Sequence, residues 1–536
     1  MSEADLIITN ARVFTADPNQ PRAQAIALKG KRIVAVGKES EVLSLRGSAT
    51  KMIDGRAKTL MPGIIDSHFH LYWGALNLAN IQLEGIRGLD AIKHEVEAFK
   101  KAHPEKQILR GSSLGYDVLP HNERLTRQHL DQIEPDIPLI LVAFDFHNAW
   151  ANTAALNLAG ILHGADTPSN SEVVMAEDGL ASGELREFEA ISLITDLMPK
   201  PSEAEELGLV KKAIGLANSY GITSLHNMNG DREEFALYQK LDQANDFPIR
   251  LYYPFRMYPD MPLSVIENEA VYLRESYRSP KLKAGALKLF MDGVIDSFTG
   301  FMLEPYVNNP ATRGEGIYGE QQFKDIAVQA DKQGLQITVH AIGDAAIRRT
   351  LNGYEAAQKA NGKRDSRHRI EHIEFLHPDD LPRFKELGVI ASMQPYHCSR
   401  PEKNYLLPYL DCLPKDRYQD SFPWEILRQS GAHLAFGSDW PVVSMNPFYG
   451  FAWAVNREPW LTGLPGQAQS LENTLLGYTR DAAYTEFAEN EKGQLKEGML
   501  ADMVLLSEDV FELSSAELEH LSAVLTICDG EIVYEA

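Results

Sequence analysis

The chain has 536 residues, 44% of them hydrophobic and 24% charged, with 52 Lys and Arg against 75 Asp and Glu and a formal net charge of −23. This is the composition of a globular protein, and the acidic surplus opposes docking on nucleic acid or an anionic membrane. Three cysteines, Cys398, Cys412 and Cys528, show no CxxC spacing, which excludes a disulfide framework and a thiolate zinc cluster.

The opening MSEADLIITN lacks the basic and apolar regions of a secretory signal, so a cytoplasmic location is expected. No apolar run approaches the ~20 residues of a membrane span, and the longest, PLILVAF at 138–144, reads as a core strand. The first sixty residues read as short strands at 6–8, 12–14, 25–28 and 32–36, broken by turn residues such as Lys29-Gly30-Lys31. The same style returns at 501–507 and at 525–535, a hairpin turning at Asp529-Gly530. A small composite β-sandwich from both termini, 1–62 with 483–536, is therefore expected.

Between the termini, strand-like and helical segments alternate. Strand candidates are 221–228, 250–257, 286–293, 335–344, 368–375, 388–395 and 433–441, with helices at 322–333 and 344–360 among them. Repeated strand–helix units imply a parallel sheet, and this number points to an α/β fold of the (β/α)8 TIM-type barrel over 63–482. The stretch from about 75 to 210 is too long for one barrel unit and is expected to be an inserted subdomain.

Polar residues at the strand ends carry the chemistry. The run Pro62-Gly63-Ile64-Ile65-Asp66-Ser67-His68-Phe69-His70 places His68 and His70 two apart, on one face of a strand, where both can reach one metal. Alone, an HxH pair is equally two surface histidines after a strand. Further ligand types recur at later strand ends: His340 after Ile337-Thr338-Val339, His372 in Arg369-Ile370-Glu371-His372, and Asp439 after Gly437-Ser438. Lys288 sits inside the apolar Ala286-Leu287-Lys288-Leu289-Phe290, where an ordinary lysine is costly to bury. The carboxyl ends of barrel strands converge on one face, so these six residues become neighbours. They match a site for two divalent ions, zinc by donor type.

In order and spacing, DLIITNARVFTAD, LMPGIIDSHFH, GITSLHNM, LKLFMDG, ITVHAIGD, RIEH, GSDWP and GQLKEGMLADMVLL resemble the amidohydrolase superfamily, specifically the YtcJ-like amidohydrolases that include N-substituted formamide deformylases. The resemblance spans nearly the whole chain. It implies that His68, His70 and Asp439 bind one metal, that His340 and His372 bind the second, and that Lys288 is N-carboxylated to bridge both. An uncarboxylated Lys288 paired with a carboxylate would instead give a mononuclear enzyme. The implied reaction is hydrolysis of a C–N bond in a small N-substituted, formamide-like amide by a metal-activated hydroxide, with Asp439 shuttling the proton. Carbamate, cyclic amide or lactone hydrolysis and deamination use the same ligands, and a non-catalytic regulatory homologue is the rival from another class. A small molecule is the expected partner; oligomeric state is not written in the sequence, though homodimers are common among similar proteins.

Around the ligands, Asp292-Gly293 resembles the family's Asp-Gly, but Phe298 stands where many relatives carry Arg, which suggests an apolar substrate group unless the ring merely packs. His147, in Phe146-His147-Asn148-Ala149-Trp150, resembles a Gly-His-Ser-Ala-Trp segment and reaches substrate or is structural. Trp73, Tyr116, Tyr396, His397 and Trp440 are candidates to wall a pocket, against the alternative that they complete a core. His226 lines the same face or packs behind it. Glu371 is an anchor for a ligand or a solvated charge, and Asp344 reads as a helix cap.

Overall fold

Eight strands, β1 (Ile64–Phe69), β2 (Ile222–Asn227), β3 (Arg250–Arg256), β4 (Leu282–Phe290), β5 (Gln336–Ala341), β6 (Arg369–His372), β7 (Ile390–Met393) and β8 (His433–Phe436), form one parallel sheet in chain order. The computed structural model describes residues 3–116, 118–119, 123–144, 146–167, 171–398 and 407–536. Each strand pairs with its neighbour in sequence, for example Leu287 opposite Ile337 and Val339 opposite Ile370. Apolar runs buried on both faces are what a parallel sheet covered by helices requires. At the seam, the backbone N–H of Asp439 donates to the His68 carbonyl at 2.7 Å, and that of Ser438 donates to Asp66 Oδ1 at 2.9 Å. These bonds bring the last strand back to the first and nearly close the barrel. The helices Glu320–Lys332 and Asp344–Asn361 flank β5, close to where the apolar periodicity places them.

Strands from both termini build two further sheets. One has four strands, ordered Arg32–Gly37, Ala25–Lys29, Leu6–Thr9 and Lys51–Asp54. The other has six, ordered Glu531–Glu535, Ala523–Cys528, Met503–Leu506, Thr59–Pro62, Arg12–Phe14 and Arg22–Ala23. Leu60 lies opposite Leu505, so the two chain ends meet in one antiparallel ladder. Leu6, Ile8, Ile26 and Leu28 of the first sheet and Val13, Leu60, Met503 and Ile527 of the second lie in one buried cluster. Arg250, the first residue of β3, ties the barrel to the C-terminal strands through Asp502 (2.6 and 3.0 Å) and Asp529 (2.9 Å).

A second compact unit comprises Leu71–Ala213 with Trp440–Ser444. Its six-stranded sheet runs Glu172–Met175, Ala181–Arg186, Asn148–Ala151, Leu139–Ala143, Leu109–Leu114 and Ile81–Gln82. The apolar run read as a core strand is one: Leu139–Ala143 is buried throughout. Among the described residues, no helix is long and apolar enough to cross a membrane.

Candidate metal centre

The alternation of β1 puts His68 and, one residue past its end, His70 on the same side. Asp439, three residues beyond β8, meets both: its Oδ1 lies 3.3 Å from His68 Nε2 and 3.0 Å from His70 Nε2. The three ligand atoms fall within 4.8 Å of one another, and all three residues are buried. Asp439 and His372 both take left-handed backbone conformations, φ +66° and +76°. Non-glycine residues held there are strained, and the surrounding barrel keeps them in place. Gly437 is required two residues earlier: a Cβ there would lie 2.4 Å from the His68 backbone nitrogen.

His68 is oriented from behind. Its Nδ1 lies 2.7 Å from Glu371 Oε2, which fixes which nitrogen faces Asp439. Glu371 also accepts from Thr338 Oγ1 at 2.7 Å and pairs with Arg369 at 2.8 Å. Burial opposes its ionisation, but Arg369 and His68 outweigh it and hold the carboxyl well below its ordinary range. Glu371 is thus the anchor, not the solvated charge. Burial lowers His70 to a pKa of about 4 and His340 to about 3, leaving neutral imidazoles of the kind metals bind. His68 differs: burial again disfavours the cation, but the charge of Asp439 raises its pKa above the ordinary value.

Lys288 is fully buried in β4, and its Nζ makes no hydrogen bond, with the Phe290 ring 4.7 Å away. Burial brings its pKa down to about 8 against the pull of Glu371 and Asp439. Glu371 and Asp439 thus act on Lys288 through charge and not through a hydrogen bond. Nδ1 of the buried His372 also has no hydrogen-bond partner. Buried polar atoms without partners cost on the order of 1–3 kcal/mol each, so a centre with several of them fits an ion that would satisfy them.

The other histidines divide. The His372 ring lies 4.7 Å from that of His68 and 4.5 Å from that of His340. His340 Nε2 is 3.1 Å from the Gly293 carbonyl, beside Asp292. Asp292 is cradled by the N–H groups of Phe301, Ile342 and Gly343, and burial raises its pKa to about 7. His397, expected as a pocket wall, stands beside the ligand candidates: His372, His397 and Asp439 form a second group of possible donors within 4.8 Å of one another. It follows β7 in a short 3-10 turn, Pro395–Cys398, and has no HxH spacing to announce it.

A family model described as the amidohydrolase family matches residues 51–534. The chain belongs to the amidohydrolase family. The resemblance read from the motifs is thereby borne out, and the chain is a hydrolase by membership. This amidohydrolase is 30% identical to "Protein LONG AFTER FAR-RED 3" of Arabidopsis thaliana, over 99% of the chain and 92% of the relative. It is 27% identical to the "N-substituted formamide deformylase" of Arthrobacter pascens, over 99% of the chain and 98% of the relative. The crystal structure of an uncharacterized metal-dependent hydrolase from Pyrococcus furiosus aligns with a TM-score of 0.72 at 23% identity, covering 93% of this chain and 98% of that one. That likeness supports the barrel fold.

Elsewhere in the amidohydrolase, Phe298 is half-buried with φ +63°, its ring edge-on to Tyr306 at 5.2 Å. Three further pocket candidates belong to the inserted unit. His147 Nδ1 is 2.8 Å from Glu187, Trp73 packs on Phe146 at 4.1 Å, and Trp440 covers Gly74, where a Cβ would lie 2.0 Å from its ring. Tyr116 stacks edge-on to Trp150 in that unit, and Tyr396 packs on Tyr449. His226 is engaged behind the centre by Arg369 (3.0 Å) and Glu486 (3.1 Å). Asp344 is not the helix cap; Gly343 is, and Asp344 instead accepts from Leu303 N–H and Arg417. The cap expectation failed because the turn Ile342-Gly343 ends one residue earlier than the polar side chain suggests.

Proposed function

We propose that this amidohydrolase uses two divalent ions, zinc by donor type, to hydrolyse the C–N bond of a small N-substituted amide. The observation that carries the reading is the convergence of His68, His70 and Asp439 within 4.8 Å of one another, in a barrel whose β4 buries an unpartnered lysine. His68, His70 and Asp439 would hold one ion, and His340 and His372, with Lys288 as its carbamate, would hold the other. Ions bound there would lower the pKa of a water and polarise the scissile carbonyl. Imidazole and carboxylate donors suit zinc.

The chain's own groups supply the remainder. Burial makes the Lys288 amine partly neutral near pH 8, and the neutral amine is the form that adds to carbon dioxide. Carboxylation would convert a buried cation into an anion able to offset ionic charge. Asp439 is held ionised, which fits it to take the proton of the attacking water and return it to the departing nitrogen. Glu371 keeps His68 turned toward Asp439.

The formamide class rests on the likeness to the Arthrobacter pascens protein at 27% identity. Turnover of metal-loaded protein on N-formyl, N-acetyl, carbamate and lactone substrates tests it. N-formyl amides are expected to be fastest, and a preference for lactones or carbamates would sink the amide reading. Replacing Lys288 by Ala should abolish turnover, with small carboxylic acids restoring part of it.

A further inference from the structure

We propose that His397 is a protein ligand of the second divalent ion, acting with His372 and the outer oxygen of Asp439. The inference rests on the two-ion reading above and adds a residue to it. Asp439 presents two oxygens, and each faces an imidazole. Oδ1 lies 3.3 Å from Nε2 of His68, and Oδ2 lies 3.4 Å from Nε2 of His397. Behind His68 stands Glu371, 2.7 Å from its Nδ1, whereas Glu374 lies 3.9 Å from His397 Nδ1, beyond hydrogen-bond reach. A carboxylate behind the far nitrogen of a histidine is the arrangement that orients metal-binding imidazoles. Asp439 thus faces His68 and His70 with one oxygen and His397 with the other.

Three further observations point to an ion between His397 and its neighbours. Nε2 of His397 is buried and makes no hydrogen bond, because 3.4 Å to Asp439 exceeds a good one and leaves the nitrogen facing a carboxylate it does not engage. The ring stacks on His372 at 5.7 Å and 25°, so two imidazoles approach the same space side by side. Nδ1 of His372 is likewise buried and without a hydrogen bond. His397, His372 and Asp439 then supply the mixed nitrogen and oxygen donors that divalent transition ions take. His340 has a protein partner already in the Gly293 carbonyl, which His397 lacks at Nε2.

The test is metal uptake by full-length protein, stripped with chelator and titrated with Co(II). Bound metal is counted by elemental analysis and its coordination followed by visible absorption. Wild-type protein should take up two ions, and His397→Phe and His397→Ala should each take up one. The cobalt spectrum of the His68–His70–Asp439 position should persist in both variants. Glu374→Gln should retain two ions and bind the second within about tenfold of wild type, since Glu374 stands beyond hydrogen-bond reach of His397. Thermal melting of the metal-free variants serves as the folding control, and His397→Gln replaces any variant that melts early. Folded variants that bind two ions with unchanged affinity overturn the inference, even if turnover is lost, because His397 would then act on substrate or a proton. If wild-type protein binds only one ion and His68→Ala removes it, the two-ion reading itself fails, and this inference with it.

Discussion

Both ends of the barrel bury charge, but they treat it differently. At the amino end, Arg250 is matched by Asp502 and Asp529, and Lys492 by Glu486 and Ser224. At the carboxyl end, Lys288 Nζ and Nε2 of His397 have no hydrogen bonds, while His372 and Asp439 sit in strained backbone. A network that satisfies itself stabilises a fold; one that leaves donors open and stores strain is suited to a ligand. In barrels of this type the carboxyl face carries chemistry and the opposite face carries stability.

If that contrast holds, substitutions at the two ends should affect different measurements. Asp439→Asn should lower turnover by about 10²–10⁴-fold while leaving the urea midpoint near wild type, because it removes a proton acceptor. Near-full turnover in that variant would mean that proton transfer runs elsewhere. Arg250→Ala should do the reverse. Stripping Asp502 and Asp529 of their partner should cost about 3–5 kcal/mol in urea denaturation, with turnover per folded molecule retained.

Glu234 sharpens the same contrast through pH. It is buried between Tyr238 and Asn227, both donating to its Oε1 at 2.8 and 3.0 Å, and burial raises its pKa to about 8 from 4.5. The folded chain therefore holds a proton that the unfolded chain has released between those values. Stability from this group is full below pH 4.5 and is lost as pH rises toward 8, on the order of 2–4 kcal/mol. Glu234→Gln should flatten that slope in denaturation curves recorded from pH 5 to 9; an unchanged slope would mean the carboxyl is ionised in the fold. The smallest effect is expected from Thr338→Val, which removes one hydrogen bond to the Glu371 carboxylate. Stability should fall by about 1.5–3 kcal/mol and Co(II) affinity by less than tenfold. A larger affinity loss would show that Thr338 itself positions the ligands.

Much of this site was legible before any coordinates. His68 and His70 follow from strand alternation, and His340, His372 and Asp439 from polar residues closing apolar runs. Lys288 stands out because an apolar strand has no ordinary use for a cation. His397 does not stand out in the sequence for a physical reason. It lies in an irregular turn four residues beyond β7, where no periodicity assigns it a face. Asp344 was misplaced because a polar residue at the start of a helix resembles a cap, while the cap is set by backbone angles at Gly343. The anchoring role of Glu371 was one of two open readings, since adjacent residues in a strand point to opposite sides and only the neighbours on each side decide what they meet.

By itself, the sequence determined the family, through motifs in their order and spacing, and the barrel with its candidate ligands. The barrel and those candidates depend on local properties: apolar runs, a two-residue repeat, and polar residues where runs end. The tertiary structure decided that His68 is backed by Glu371, that Lys288 lacks a partner, and that Asp439 stands between two imidazoles. Those facts depend on how strands hundreds of residues apart are staggered and tilted around the barrel, and a difference of one residue in stagger would exchange which side chains meet.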